Sequence, residues 1–441
     1  MGPVGYLFIV TAGMLTLLLP RKYALLPLIA AAAYTPAGEA LEIAGATFTI
    51  PRLLVALGFL RITARGETMR GRWTSIDSFV LLWAAVLLGT SAMHTDDAWL
   101  FRLGVVWTET GTYFLARRLL ADTDDVRDLL KALVIMMIPL AGLMAFEKAT
   151  DFSPFSVFSS VSSLPEMREG KVRAMGPFAH SILAGTVGAV LLGIGIALWK
   201  DSKWRSRIGV IGGATIVFAC ASSGPLLMTA SVLLGYGLMS RRRRMRPVLI
   251  LAFLCLLAID CAMNDPIYFL MAKIDLVGGS QGYFRAQLIR SSIEHLDEWW
   301  LAGTDYTRHW MPTGLKVSGR HTDITNHFLQ QGVWGGLPLM AIFLVIEIKA
   351  FAAVGRVMRA AEQLPANQVR LIWGLGCVLF GLTVNFTSIT MFDHSVVFYW
   401  TIVALIASVT NPGTVPAAVP ASPGAAPVRA AMPPRFDWEQ S

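Results

Sequence analysis

Apolar residues in this chain run in continuous blocks. The blocks fall near 4–19, 23–35, 47–61, 76–93, 99–116, 132–147, 180–199, 208–222, 224–240, 247–262, 327–348, 371–390 and 394–410, with short polar stretches between them. A helix needs about 20 apolar residues to cross a hydrocarbon core, and several blocks approach or reach that length. A membrane β-barrel would instead alternate with period two. The pattern therefore predicts an all-α polytopic membrane bundle of 12 or 13 transmembrane helices, the short early blocks having least claim to span.

The polar stretches add a topology. Basic residues gather at Arg21/Lys22, Arg61 to Arg72, Arg117 to Lys131, Lys200 to Arg207, Arg241 to Arg246 and Lys349 to Arg370. Each follows an odd-numbered block, so one orientation makes all of them cytoplasmic, as the positive-inside rule requires. Stretches 36–46, 94–98 and 222–224 on the other side contain no Lys or Arg. Two outward loops break the rule: 148–179 carries Lys171 and Arg173, and 263–326 carries basic residues from Lys273 to Arg320. Long loops in compact proteins usually serve function. Within the second, Phe284, Leu288, Leu296 and Trp300 recur at helical spacing, which predicts a helix from Gln281 to Leu301. Trp299, Trp300 and Trp310 suit a headgroup belt or a sugar-stacking surface. The resulting organisation is an N-terminal bundle (1–262), a periplasmic loop (263–326), C-terminal membrane helices (327–410) and a Pro/Ala-rich cytoplasmic tail (411–441) too poor in core residues to fold.

Composition narrows the class. Charged residues make up only 15% of the chain, against about 25% for soluble domains. Mean hydropathy is +0.58. The net charge of +8 resides mostly in the cytoplasmic loops, so it does not argue for nucleic acid. The run Arg241-Arg242-Arg243-Arg244-Met245-Arg246 reads as a topology anchor near anionic lipid. No cleavable leader is expected, since a basic n-region is lacking. Cys220, Cys255, Cys261 and Cys377 show no C-x-x-C spacing and are expected to pack.

Three constellations carry candidate chemistry. In the first, Lys171-Val-Arg173 precedes a Gly176-Pro177 turn and His180 at the start of a block. Arg173 can reach lipid phosphate or an anionic substrate there, and His180 can cap a helix or move a proton. In the second, Arg285 and Arg290 lie five residues apart, on different faces of a helix. Arg285 shares its face with Leu288 and Ile289, so it points inward and needs an anion. In the third, Asp323, Asn326 and His327 stand where a polar loop meets the next block. An imidazole there can accept a proton from a sugar hydroxyl, while Asp and Asn can equally cap the helix. Metal sites are not expected: His321 and His327 are six apart and do not share a helical face. Asp122-Thr-Asp124 falls in a basic loop and reads as a cap. No phosphate-binding P-loop motif occurs.

In order and spacing, these pieces resemble the O-antigen ligase and Wzy-type polymerase superfamily of bacterial envelope glycosyltransferases. The resemblance rests on Arg173 with Gly176-Pro-Phe178, Ser222-Ser-Gly224-Pro, Arg285, Leu301-Ala-Gly303 and Asn326-His327-Phe-Leu-Gln330-x-Gly332-Val-Trp-Gly335. Topologically it covers roughly 75–410, with motif-level agreement confined to about 160–340. It implies a GT-C-like fold in the inner membrane whose active site faces the periplasm. The reaction it implies is an inverting transfer from an undecaprenyl-diphosphate-linked glycan, without metal or other cofactor. The acceptor would be a glycan, lipid A core or protein. By the same resemblance, Arg173 and Arg285 would hold the diphosphate and His327 would be the catalytic histidine. The sequence departs at Ala179-His180-Ser181, where the family often has His/Asn-Pro-Asn. It departs again at Gly303-Thr-Asp305, where Asp305 could contact the acceptor. A transporter or flippase of lipid-linked glycans is the competing class; it would call for mid-membrane ionisable residues and repeated halves.

Overall fold

The computed structural model describes residues 2–36, 38–43, 46–120, 122–157, 166–168, 170–273, 281–314 and 318–411. The Pro/Ala-rich stretch 412–441 lies outside them. The described chain is helical apart from two small antiparallel hairpins. Helices α1 to α7 are Pro3–Leu18, Leu26–Tyr34, Ile50–Arg65, Ser75–Ser91, Asp96–Leu119, Thr123–Met136 and Ile138–Thr150. They are followed by α8 Ser181–Ala197, α9 Lys203–Cys220, α10 Ser223–Gly237, α11 Met245–Ala262 and the short α12 Leu270–Lys273. The long loop 263–326 supplies α13 Gly282–Glu294 and α14 Leu296–Trp299; α15 His327–Arg359, α16 Ala366–Phe386 and α17 Val396–Val409 complete the bundle. The hairpins are β1–β2 (Ala40–Ile43, Ala46–Thr49) and β3–β4 (Glu166–Arg168, Lys171–Arg173).

Every apolar block contains a helix, which bears out the all-α architecture. Among the described residues, five helical stretches are long and apolar enough to cross a bilayer: Thr123–Thr150, Ser181–Lys200, Ser223–Ala262, His327–Arg359 and Ala366–Phe386. Block 23–35 yields only the 9-residue α2, which rises about 14 Å and cannot span a core of about 30 Å by itself.

Helices α8 and α9 form the tightest contact. A Cβ on Gly213 would meet the Leu192 backbone nitrogen at 2.5 Å and the Gly188 carbonyl at 2.6 Å. The Gly209-x-x-x-Gly213 spacing on α9 thus lets two backbones touch, as small residues do between membrane helices.

Polar loops sort to two ends. At the basic end, Arg21 donates to the carbonyls of Thr68 and Arg118, Lys22 pairs with Asp128 at 2.7 Å, and Arg127 pairs with Asp201 at 2.8 Å. Asn367 bonds Asp201 at 3.0 Å and Arg243 pairs with Glu362 at 2.5 Å, so the short basic loops are linked to one another at this end. Buried Arg117 and Asp77 anchor this end with bonds of 2.8 and 3.1 Å. At the opposite, loop end, Ala179 N–H bonds Asp393 at 3.0 Å, Asn326 bonds the Thr387 carbonyl at 3.1 Å, and Thr390 bonds the Ile324 carbonyl at 2.5 Å.

The long loop folds into a lobe with its own small core of Leu288, Trp299, Trp310, Met311 and Ile324 against Leu329 and Val333 of α15. The helix expected from Gln281 to Leu301 breaks at His295, between α13 and α14. Trp299 and Trp310 are buried, so the expectation that they form a headgroup belt or sugar platform fails; only Trp300 is exposed. Trp299 Nε1–H satisfies the Ser292 carbonyl at 2.8 Å, which explains its inward orientation.

Candidate functional site

The site begins at a buried carboxylate. Glu147, at the end of α7, accepts the backbone N–H groups of Met175 (2.9 Å) and Gly176 (3.0 Å). These bonds fix the turn in which Gly176 holds φ +58° against Met144. The turn directs β4 along the ends of α9 and α10, where Ala174 N–H bonds the Ala219 carbonyl at 3.1 Å. Arg173, at the end of β4, is buried. Its Nε points to the Cys220 carbonyl at 3.4 Å, and its Nη1 forms an ion pair with Glu166, its cross-strand partner in the hairpin.

Glu166 joins several groups. Its second oxygen accepts from Ser181 Oγ at 2.8 Å and lies 3.3 Å from His180 Nδ1. His180 occupies the N-cap of α8 with 42% of its side chain exposed, so its ring is open to solvent. From the other side, Asp323 feels the charges of both His180 and Arg285. Burial, the largest influence, pushes the Asp323 carboxyl above its ordinary range, with those two charges pulling the other way. Arg285 is half-buried on α13. Arg173, Glu166 and His180 thus form one bonded set of charges at the loop end, and the long loop adds Asp323, which feels His180 and Arg285 electrostatically.

The remaining expected residues lie elsewhere. Arg290 projects outward and pairs with Glu294 at 3.1 Å, on the solvent face of α13. Asn326 is the N-cap of α15, accepting from Leu329 N–H at 3.0 Å. Asp305 ties the lobe to the bundle: it bonds His94 Nδ1 and Thr95 N–H, both at 2.8 Å, and faces Arg102 at 3.4 Å. Its oxygens are thereby committed to the fold. His327 is 1% exposed, its ring 4.5 Å from Phe386 and 5.2 Å from Phe343. Its Nε2 lies 3.4 Å from Gln331, and its Nδ1 has no hydrogen-bond partner among the described residues. The imidazole faces the bundle interior and does not join the charged set.

Neither protein-family models nor curated proteins give a match to this chain.

A break in α15 positions the lobe. Gly335 and Gly336 leave the helical conformation, with Gly336 at φ +74° and ψ −176°. Leu337 N–H reaches the Trp300 carbonyl at 2.8 Å, and Thr304 N–H reaches the Val333 carbonyl at 2.9 Å. Backbone groups released by the break are taken up by the lobe, as buried membrane backbone requires. The sequence reading missed Glu166 and Glu147. Glu166 was legible, since it stands opposite Arg173 across a Gly170 turn; Glu147, inside an apolar block, had no such signal. A cleft of about 470 Å³ beside Arg52, Phe101 and Trp107 lies apart from these charges.

Proposed function

We propose that this protein is an inverting glycan transferase of the outer face of the bacterial inner membrane. In this reading it moves or polymerises undecaprenyl-diphosphate-linked oligosaccharide, as an O-antigen ligase or polysaccharide polymerase with a GT-C-like fold does. The observation that carries the proposal is the set of charges at the loop end of the bundle: Arg173 and His180 share Glu166, and Asp323 feels both His180 and Arg285 from the other long loop.

Glycosyl transfer from a lipid diphosphate breaks the anomeric C–O bond and leaves its electron pair on the diphosphate. Two guanidinium groups stabilise that charge, and their planar forks suit phosphate oxygens. In this structure Glu166 is the anion that Arg173 holds; the donor diphosphate exchanges for it. The acceptor hydroxyl attacks the anomeric carbon from the opposite side and gives its proton to an imidazole. We assign that task to His180 in place of His327, because His180 is open to solvent within the charged set while His327 is enclosed by Phe343 and Phe386. Asp323 then stabilises the protonated ring.

A flippase of the same lipid-linked glycan is favoured by different observations. Glu109 and Glu347 are buried in the helices, bonded to Trp400 at 2.6 Å and Thr383 at 3.3 Å, and α15 is discontinuous. Such features mark transport paths. The lipid-linked glycans that accumulate in a deletion strain separate the readings. Single repeat units on the outer leaflet indicate a polymerase, long chains a ligase, and units held on the inner leaflet a flippase.

A further inference from the structure

We propose that His295, Glu298 and His309 form a binding site for one zinc-class divalent cation, which staples the outward lobe together at a place separate from the charged set. This inference goes beyond the glycan-transfer reading and does not depend on it.

The three side chains each offer a ligand atom, and those atoms lie within 4.8 Å of one another. His295 closes α13, Glu298 sits on α14, and His309 lies on the turn Arg308–Trp310. Ligands about 2.0–2.2 Å from a tetrahedral ion stand about 3.3–3.6 Å apart. His309 Nε2 and Glu298 Oε1 are already 2.9 Å apart, so only small side-chain movements close the set.

Each ligand is oriented in advance. His295 Nδ1 bonds the Ser291 carbonyl at 2.8 Å. That bond fixes the ring's tautomer and leaves Nε2 with a free lone pair, the arrangement common to metal-bound histidines. Glu298 accepts Trp310 Nε1–H at 3.0 Å on its other oxygen. His309 stacks on Tyr306 with centroids 4.7 Å apart, and its Nδ1 is buried without a hydrogen-bond partner among the described residues.

Two imidazoles and one carboxylate select zinc-like ions over magnesium or calcium, which prefer all-oxygen shells. Three protein ligands leave a fourth position for water. The ion would join α13, which carries Arg285, to the far side of the lobe. The site is legible in the sequence as His-x-x-Glu with a histidine eleven residues further on, a spacing that becomes informative only once α13 and the 308–310 turn meet.

The test uses the full-length protein in detergent, its affinity tag removed and its metals stripped by chelator. Zn²⁺ is titrated against a chromogenic competitor, and Co²⁺ uptake is followed by its visible absorption. One ion per chain is expected. His309→Ala and His295→Ala should each weaken binding by at least about 100-fold, the upper range for loss of an outer-shell partner. His321→Ala, outside the set, should bind normally. Zn²⁺ should raise the thermal unfolding temperature of the wild type and leave both ligand variants unmoved. Should the alanine variants aggregate, Glu298→Gln keeps an oxygen for Trp310 while removing the charge, and it should also bind more weakly. No stoichiometric uptake by the wild type overturns the proposal, as does wild-type affinity in the well-folded variants.

Discussion

Replacing Gly336 with alanine should unseat the outward lobe while leaving the bundle folded. Gly336 holds φ +74° and ψ −176°, a region essentially closed to residues with side chains. A Cβ there would come within 2.4 Å of the carbonyl carbon and oxygen of Leu301. Those are backbone atoms and cannot swing aside as a flexible side chain would. Keeping the native conformation costs about 1–3 kcal/mol of strain. Losing the adjacent bond from Leu337 to Trp300 costs about 1 kcal/mol more. The undocked population of the lobe should rise about 30- to 700-fold, at 1.4 kcal/mol per factor of ten. Hydrogen–deuterium exchange of the detergent-solubilised protein reads this directly. The amides of Thr304 and Leu337 should exchange faster by that factor, while those of α8 and α9 keep their protection. Unchanged protection at Thr304 and Leu337 would refute the docking role of the break, and loss of protection throughout α8 and α9 would refute its independence from the bundle.

Asp323→Asn should be more stable than the wild type at pH 7. Burial raises the Asp323 carboxyl above its ordinary 3.8, so its contribution is present below that value and is lost as pH rises through the folded-state value; thermal melts should show the variant's advantage closing in mild acid, and a gap independent of pH would contradict this. His180→Ala should lower the rate of glycan transfer by about 10²–10⁴, the range for general bases, whereas His327→Gln should keep most of the rate; the opposite ranking would return the proton-accepting role to His327. Arg290→Ala should change stability by no more than about 0.5 kcal/mol and leave transfer intact, because its pair with Glu294 is solvent-exposed; a large loss would place Arg290 in the site.

Much of the fold was legible because continuous apolar blocks carry a strong length signal. The gathering of Arg21, Arg127 and Arg243 at one end followed from the alternation of basic loops. Arg285 and Arg290 were correctly placed on different faces by helical periodicity alone. Other features depended on contacts that no local pattern records. Trp299 and Trp310 read as interfacial aromatics, yet the lobe has its own core and claims them. His327 read as a loop-edge base, but it is the first residue of α15 and its ring turns inward against Phe386, a residue 59 positions away in sequence. Glu147 and Glu166 were passed over because a carboxylate's role depends on which N–H groups and cations the fold brings to it.

The most direct test of the central claim is glycan transfer in proteoliposomes, with purified protein, undecaprenyl-diphosphate-linked oligosaccharide as donor and acceptor glycan supplied. The account predicts that Arg285→Lys falls about 10²–10³-fold, nearly as far as Arg285→Ala, because a compact ammonium does not reproduce a guanidinium fork on a developing diphosphate charge. Full transfer by the lysine variant would contradict the fork, and full transfer by the alanine variant would remove Arg285 from the site.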